Sequence, residues 1–326
     1  MTVETGTRTT LREHESELVV ASATQAAEGV VELRLVDESG SGLPPWTPGA
    51  HVDLVLGDLV RQYSLCGDPT DKTSFTVAVL REKESRGGSA YVHEQLTEGS
   101  KVTVRGPRNH FPLVSAARYR FVAGGIGITP LLPMIAMAEA SGADWSLSYG
   151  GRTRASMAFT ERLSAYGDRV SLFPMDEVGP LDLPTILGDP TPATKVYACG
   201  PEGLLGAVEE LCSQHWPDGA LHLERFAAKQ ADSPSGGERA FELVLAGSGV
   251  TLQVPPDRSV FDVIQDAGIS VLGSCHEGIC GTCEQAVLEG DVDHRDSVLN
   301  ESEQAANDAM MICVSRCRSD RLVLDL

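Results

Sequence analysis

Residues 274–283 read SCHEGICGTC and set three cysteines, Cys275, Cys280 and Cys283, within nine positions; a fourth, Cys313, follows after 29 intervening residues in MMICVSRC. Gaps of four and then two residues, with a distant fourth thiol, are the spacing that holds a plant-type [2Fe–2S] cluster. Gly278 and Gly281 suit such a loop, because its backbone must come close to inorganic sulfides and donate N–H bonds to them. Zinc loops, the rival reading, pair their cysteines at short spacings, a pattern this stretch lacks. Four cysteines suffice as ligands, so His276 is expected to be an exposed loop residue. Cys66, Cys212 and Cys317 are expected to be ordinary buried or free thiols.

Around this loop lies a small unit, residues 239–326, with strand segments FELVLAG and VTLQVPPD and a helix SVFDVIQDAG. It holds 6 Lys and Arg against 15 Asp and Glu, a net of −9 within a chain of net −20. So acidic a chain of 326 residues is a poor match for nucleic acid or an anionic membrane surface. The first residues, MTVETGTRTTLREHE, lack an apolar core for a secretory signal, and a reducing, cytoplasmic setting is expected. The uncharged run FVAGGIGITPLLPMIAMA is broken by three glycines and two prolines. It reads as strand, turn and helix rather than a membrane span.

Two further blocks precede the acidic unit. Residues 15–113 alternate short β-type segments with Gly, Pro, Asp and Ser clusters, interrupted by one helical stretch, SAYVHEQLTEG, which predicts an antiparallel barrel or sandwich, the barrel being preferred. Residues 114–227 pair apolar strands with amphipathic helices, the pattern of a parallel α/β sheet. A tail over 1–14 and a polar linker over 228–238 complete the expected division.

Within the α/β block, AGGIGITP (123–130) follows an apolar strand and opens a helix. Gly124, Gly125 and Gly127 there would let backbone N–H groups approach a pyrophosphate at a helix N-terminus. Pro130 stands where a third fingerprint glycine would fall, and a plain strand-to-helix turn reads the same way. YACGPEGL (197–204) is a second such turn, with Cys199, Gly200 and Pro201 at a strand's carboxyl end. HLERF closes the block with Glu224 and Phe226.

These features resemble the NAD(P)-binding half of the ferredoxin–NADP reductase superfamily, with its GGxGxTP turn, its CGP turn and a terminal acidic and aromatic pair. The resemblance adds Thr129 and Pro130 to the nucleotide-binding candidates. Asp176 and Glu177, at the end of an expected strand RVSLFPMDE, fall near the adenosine ribose in that family. A carboxylate there accepts from a 2′-hydroxyl and repels a 2′-phosphate, which favours NADH. Arg152 and Arg154 could instead meet a phosphate.

A nicotinamide gives up two electrons together and a [2Fe–2S] cluster accepts one, so a chain holding both needs a flavin between them. RQYSL (61–65) resembles the RxYS flavin motif of the same superfamily, which implies Arg61 on the flavin phosphate, Tyr63 against the ring or ribityl chain and Ser64 near N5, with Gln62 between. Val79, Leu80 and Arg81 join that set. Gly87, Gly88 and Ser89 open a helix, a phosphate site on physical grounds.

Residues 239–326 resemble a plant-type ferredoxin, and the whole order resembles the phthalate dioxygenase reductase family. That resemblance implies FMN, with FAD the alternative, and places Ser64, Cys199, Glu224 and Phe226 nearest the transfer path. It also implies a terminal oxygenase as acceptor, a Rieske non-haem iron enzyme or a P450, docking at the acidic ferredoxin unit. Two rivals are a redox sensor without sustained turnover, and a flavin enzyme that reduces a small molecule directly.

Overall fold

The computed structural model describes residues 14–82, 87–228 and 239–326. Nearly all of the expected tail and linker lie outside these residues. The first unit contains β1 (Glu15–Ala27), β2 (Val30–Val36), β3 (His51–Leu56), β4 (Leu59–Ser64), β5 (Ser74–Leu80), α1 (Gly88–Gln95) and β6 (Lys101–Arg108). The strands form an antiparallel sheet in the order β4-β3-β6-β1-β2-β5, and a bridge from Leu65 to Val77 links its two edges. Alternation decides which side faces in: Val52, Leu54 and Leu56 of β3 fill the interior with Leu18, Leu33, Val77 and Val79. Asp53, between two of those inward residues, points to the outer face. Helix α1 covers the interior with Val92, and Leu96 just beyond it adds to the same core.

The second unit runs β7 (Arg118–Gly124), α2 (Ile128–Ala140), β8 (Asp144–Gly151), α3 (Thr160–Ser164), β9 (Val170–Pro174), α4 (Met175–Val178), α5 (Leu183–Ile186), β10 (Thr194–Cys199), α6 (Glu202–His215) and β11 (Leu221–Glu224). Its strands are all parallel, in the order β11-β10-β7-β8-β9. The chain winds outward from β7 to β9, then returns to the other side of β7. The order therefore reverses between β7 and β10, and the crevice beyond their carboxyl ends is where such sheets bind ligands. Both glycine turns lie there. The uncharged run 121–138 divides into β7, a short turn and α2. Among the described residues no helix is long and apolar enough to cross a membrane.

The third unit contains β12 (Phe241–Leu245), β13 (Val250–Val254), α7 (Val260–Asp266), β14 (Glu284–Glu289), β15 (Val292–Asp293), α8 (Glu301–Ala306), β16 (Ala309–Met311), β17 (Arg316–Cys317) and β18 (Arg321–Leu324). A mixed sheet in the order β13-β12-β18-β14-β16 packs against α7 through Phe241, Leu243, Phe261 and Ile264. Ser259 starts α7 by accepting a hydrogen bond from the Asp262 N–H at 3.0 Å. The cysteine loop joins α7 to β14. Antiparallel pairing of Glu284 with Met311 brings the flanking Cys283 and Cys313 to one end of the sheet. Antiparallel barrel, parallel α/β sheet and β-grasp-like ferredoxin unit thus follow one another as the sequence predicts.

Candidate functional site: one cleft shared by three sheets

Arg61, Gln62 and Ser64 of β4 border a cleft with Glu224, Arg225 and Phe226 at the end of β11 and with Cys275, Glu277 and Ile279 of the cysteine loop. The cleft encloses about 600 Å³, part of it open to solvent. Each of the three units thus contributes one wall. Side chains alternate along a strand, so Gln62 and Ser64 share one side of β4. Ser64 turns toward the nucleotide unit and Gln62 toward the cysteine loop.

On the nucleotide side, the Ser64 hydroxyl donates to Glu224 Oε2 at 3.4 Å. Burial pushes the Glu224 carboxyl up to about 8, partly offset by the Ser64 hydrogen bond. Cys199 is fully buried beside it, and burial, with the Glu224 charge in second place, drives its thiol well above the usual range. Phe226 stands at the rim, 42% exposed. Between Glu224 and Phe226, Arg225 turns back onto α6, donating to Glu202 at 3.0 Å and Glu209 at 2.9 Å. This pair of contacts fixes the turn that presents both neighbours to the cleft. Arg225 escapes a motif reading because its partners lie 23 and 16 positions upstream.

The glycine turns prove to be built largely against each other. A Cβ on Gly127 would lie 2.3 Å from the Cys199 carbonyl oxygen, and one on Gly124 would lie 2.6 Å from Pro201. Gly200 in turn sits against the Gly124 backbone. Gly125 differs: it adopts a φ of +54° with open space where a side chain would project. It is the glycine of this set best placed for close approach by a ligand. The buried Thr129 hydroxyl donates to the Ile126 carbonyl at 2.9 Å, which stiffens the turn, and Pro130 is buried in the first turn of α2.

Asp176 and Glu177 lie in α4, just past β9, rather than on the strand itself. Arg154, the alternative phosphate partner, donates to both Glu177 carboxylate oxygens, from Nη2 at 2.6 Å and Nε at 3.1 Å. The Arg152 carbonyl accepts from the Asp176 N–H at 3.3 Å, so both candidate segments meet at one place.

At the other end of β4, a Cβ on Gly88 would come within 2.5 Å of Arg61 Cγ. The RQYS and GGS segments are therefore neighbours, 26 positions apart in the chain. Gly87, with a φ of +93°, turns the chain into α1. Ser89 Oγ accepts from the Glu82 N–H at 3.1 Å. Tyr63 packs against the barrel core, and burial raises its phenol to about 12. The Val79 side chain is inside the barrel, and its carbonyl lies 2.9 Å from His93 Nε2. Leu80 is half-buried, and Arg81 pairs with Glu94 on the surface.

In the cysteine loop the four thiols form a connected set. Cys275 is within hydrogen-bonding reach of Cys280 and of Cys313, and Cys313 of Cys283. The contact with Cys275, followed by burial, drives the Cys280 thiol far up. Iron bound there would take the place of the thiol protons. Backbone donors face the sulfurs: the Glu277 N–H lies 3.3 Å from Cys275 Sγ, and the Gly278 N–H points to Cys313. Gly278 and Gly281 both have positive φ, +67° and +70°. Among the described residues no group of three or more His, Cys, Asp or Glu side chains is disposed to hold a single metal ion. A two-iron cluster spreads its four thiolates more widely, and the donor set here fits it. His276 is exposed and rests edge-on against Phe261. Cys66, Cys212 and Cys317 are buried thiols, as expected.

The barrel face that meets this loop carries residues the motifs do not reveal. Asp53, fully buried, accepts from Gln62 Nε2 at 3.0 Å, from the Ser274 hydroxyl at 2.6 Å and from Arg108. Gln62 Nε2 also donates to Ser274 Oγ at 2.8 Å. Gln62, expected at the flavin, thus spends its amide on the junction between barrel and loop. His51 is buried at the same junction, where burial, then the nearby His110, lowers its imidazole to about 3. A side chain at Gly281 would strike the His110 ring.

A barrel that presents a flavin motif, a parallel sheet with its crevice at the barrel, and a four-thiolate loop on the same cleft define a flavoprotein reductase with a ferredoxin module. Residues 243–318 match the 2Fe-2S iron-sulfur cluster binding domain. The chain is 41% identical to phenoxybenzoate dioxygenase subunit beta of Ectopseudomonas oleovorans, over 95% of this chain and 97% of that protein. The solved structure of phthalate dioxygenase reductase superposes with a TM-score of 0.69 at 35% identity, covering 96% of this chain and 98% of that one. An intact type IV self-sufficient cytochrome P450 monooxygenase superposes with a TM-score of 0.91 at 46% identity; 96% of this chain spans 41% of that one. The chain belongs to the phthalate dioxygenase reductase family, the oxidoreductase components of oxygenase systems, with flavin, pyridine nucleotide and [2Fe–2S] as its cofactors.

Proposed function

We propose that the protein oxidises NADH at the Ser64–Glu224 end of the cleft and delivers electrons singly, from the cysteine loop, to a terminal oxygenase. The observation that carries this reading is the shared cleft, in which β4, the end of β11 and Cys275 all form walls. A flavin held there would supply the chemistry that neither neighbour supplies alone, the exchange of a two-electron hydride for single electrons.

The chain's own residues do the rest. Arg61, with Gly87, Gly88 and Ser89, holds the flavin phosphate; the single helix-start site favours FMN. Tyr63 lies along the ribityl chain, and Val79 to Arg81 border the ring through backbone. Glu224 keeps its proton at neutral pH and, with Ser64, holds it beside the reacting edge. Cys199 and Phe226 form the floor and movable rim of the nicotinamide site. Gly125 admits the pyrophosphate, with Gly124, Gly127, Thr129, Pro130, Gly200 and Pro201 shaping the two turns. Asp176 meets the adenosine ribose and Arg152 lies beside it. With Arg154 already paired to Glu177, a 2′-phosphate would meet the Asp176 and Glu177 carboxylates at this end, which supports NADH over NADPH. Cys275, Cys280, Cys283 and Cys313 hold the cluster.

The acceptor is a Rieske non-haem iron oxygenase docking a basic face on the acidic 239–326 unit, in the cytoplasm. The likeness to the self-sufficient P450 supports a P450 as the second acceptor class. The functional division follows 15–113, 114–227 and 239–326. Steady-state assays test the reading: NADH should reduce ferricyanide and cytochrome c in the wild type, with NADPH much poorer, and C283S should keep the first activity while losing the second. Equal loss of both, or retention of both, contradicts it.

A further inference from the structure

The junction between barrel and cysteine loop is held by buried polar groups rather than apolar packing. Asp53 is a carboxylate with no solvent exposure, and burial raises its pKa, an effect that hydrogen bonds from Ser274 and Gln62 offset only in part. Its neighbours come from three places. Gln62 lies directly opposite it on β4, Arg108 sits at the end of β6, and Ser274 immediately precedes the first cluster cysteine. The Arg108 side chain is only 15% exposed. The Asp53 carboxylate that accepts from its guanidinium accepts also from the Ser274 hydroxyl, so Arg108 is tied through one carboxylate to the residue next to Cys275.

A buried carboxylate–guanidinium pair is expensive to desolvate, and removing one partner leaves an uncompensated charge. A site that orders one loop against another gains geometry from such a pair. A fixed cation beside a cluster also favours the form carrying one more electron. Resting on the proposed transfer from flavin to cluster, we propose that Asp53, Gln62 and Arg108 form a clasp that seats Ser274 and so sets the flavin-to-cluster approach, and that Arg108 holds the cluster's potential up. Asp53 and Gln62 are positioning residues: they act through Ser274 and Arg108 and touch no reacting atom. Asp53 also aims the guanidinium by accepting from it.

Two variants of the holoprotein separate the two parts. In R108Q, a spectroelectrochemical titration should find the cluster about tenfold less able to take the electron from the flavin, a shift of about 59 mV for one electron. R108K should recover most of the shift. In S274A the potential should stay at the wild-type value, while stopped-flow absorbance shows cluster reduction slowed about tenfold and flavin bleaching by NADH unchanged. An R108Q potential equal to wild type, with iron content intact, overturns the tuning role. Unchanged cluster reduction in S274A overturns the clasp. Failure of flavin bleaching in the wild type would instead refute the underlying functional reading, so the two failures are distinct.

Discussion

Gln62 and Ser64 lie two residues apart on one strand, yet their surroundings differ. Ser64 meets Glu224 across a 3.4 Å contact at the edge of a cleft, beside an exposed Phe226. Gln62 enters a closed set of bonds of 2.6–3.0 Å with Asp53 and Ser274. The first contact is long and borders open space, as a place must be where a coenzyme arrives and leaves. The second is shorter and centres on Asp53, which has no solvent exposure, as suits a path whose length must not vary. One strand thus carries a yielding input and a fixed output.

The strongest way to break the comparison is to remove the output alone. C283S should abolish the reduced-cluster EPR signal and cytochrome c reduction, while NADH still bleaches the flavin. Next in size, E224Q should slow flavin bleaching about a hundredfold and leave electron passage from flavin to cluster unaltered, since a positioned proton is worth that much. The pH profile sharpens this. Glu224 carries a raised value of about 8 in the folded protein against an ordinary 4.5. Flavin bleaching should therefore fall as pH rises through 8, and E224Q should flatten the fall. Stability changes in the same sense. Between pH 4.5 and 8 the unfolded chain has released a proton that the folded one retains, so folding loses ground across that window and levels off above it. E224Q should remove that slope from a plot of Tm against pH.

A smaller effect probes the output side through packing. G281A places a methyl where His110 sits, at a φ of +70°, and should cost about 1–3 kcal/mol by thermal unfolding of the holoprotein. The smallest concerns the coenzyme's far end. An exposed charge contributes up to about 1 kcal/mol, so D176N should raise kcat/KM for NADPH no more than about fivefold.

Sequence reading succeeded where chemistry is local in the chain. The four cysteines declare their cluster through spacing, and the alternation in HVDLVLG and the strand–helix rhythm of 114–227 declare two of the sheets. It missed Asp53, Arg108 and Ser274 because their meaning depends on contacts up to 221 residues apart. Asp53 inside an apolar strand reads as an ordinary outward polar residue; only the loop lying over it makes it buried. Gln62 borders the same cleft as its motif neighbours, and its Nε2 also ties the junction through Asp53 and Ser274, a role the motif does not reveal. The glycines of AGGIGITP and ACGP suggested a ligand cradle, whereas Gly124, Gly127 and Gly200 are needed first to let two turns touch. A motif records that a side chain is intolerable at a position, not which neighbour makes it so.

The most direct test of a yielding input joined to a fixed output is anaerobic mixing of the holoprotein with NADH, following flavin absorbance by stopped flow and the cluster by freeze-quench EPR. The flavin should bleach first, at a rate that depends on NADH concentration, and the cluster should then be reduced at a rate that does not. A cluster that stays oxidised while the flavin is fully bleached would contradict the shared path.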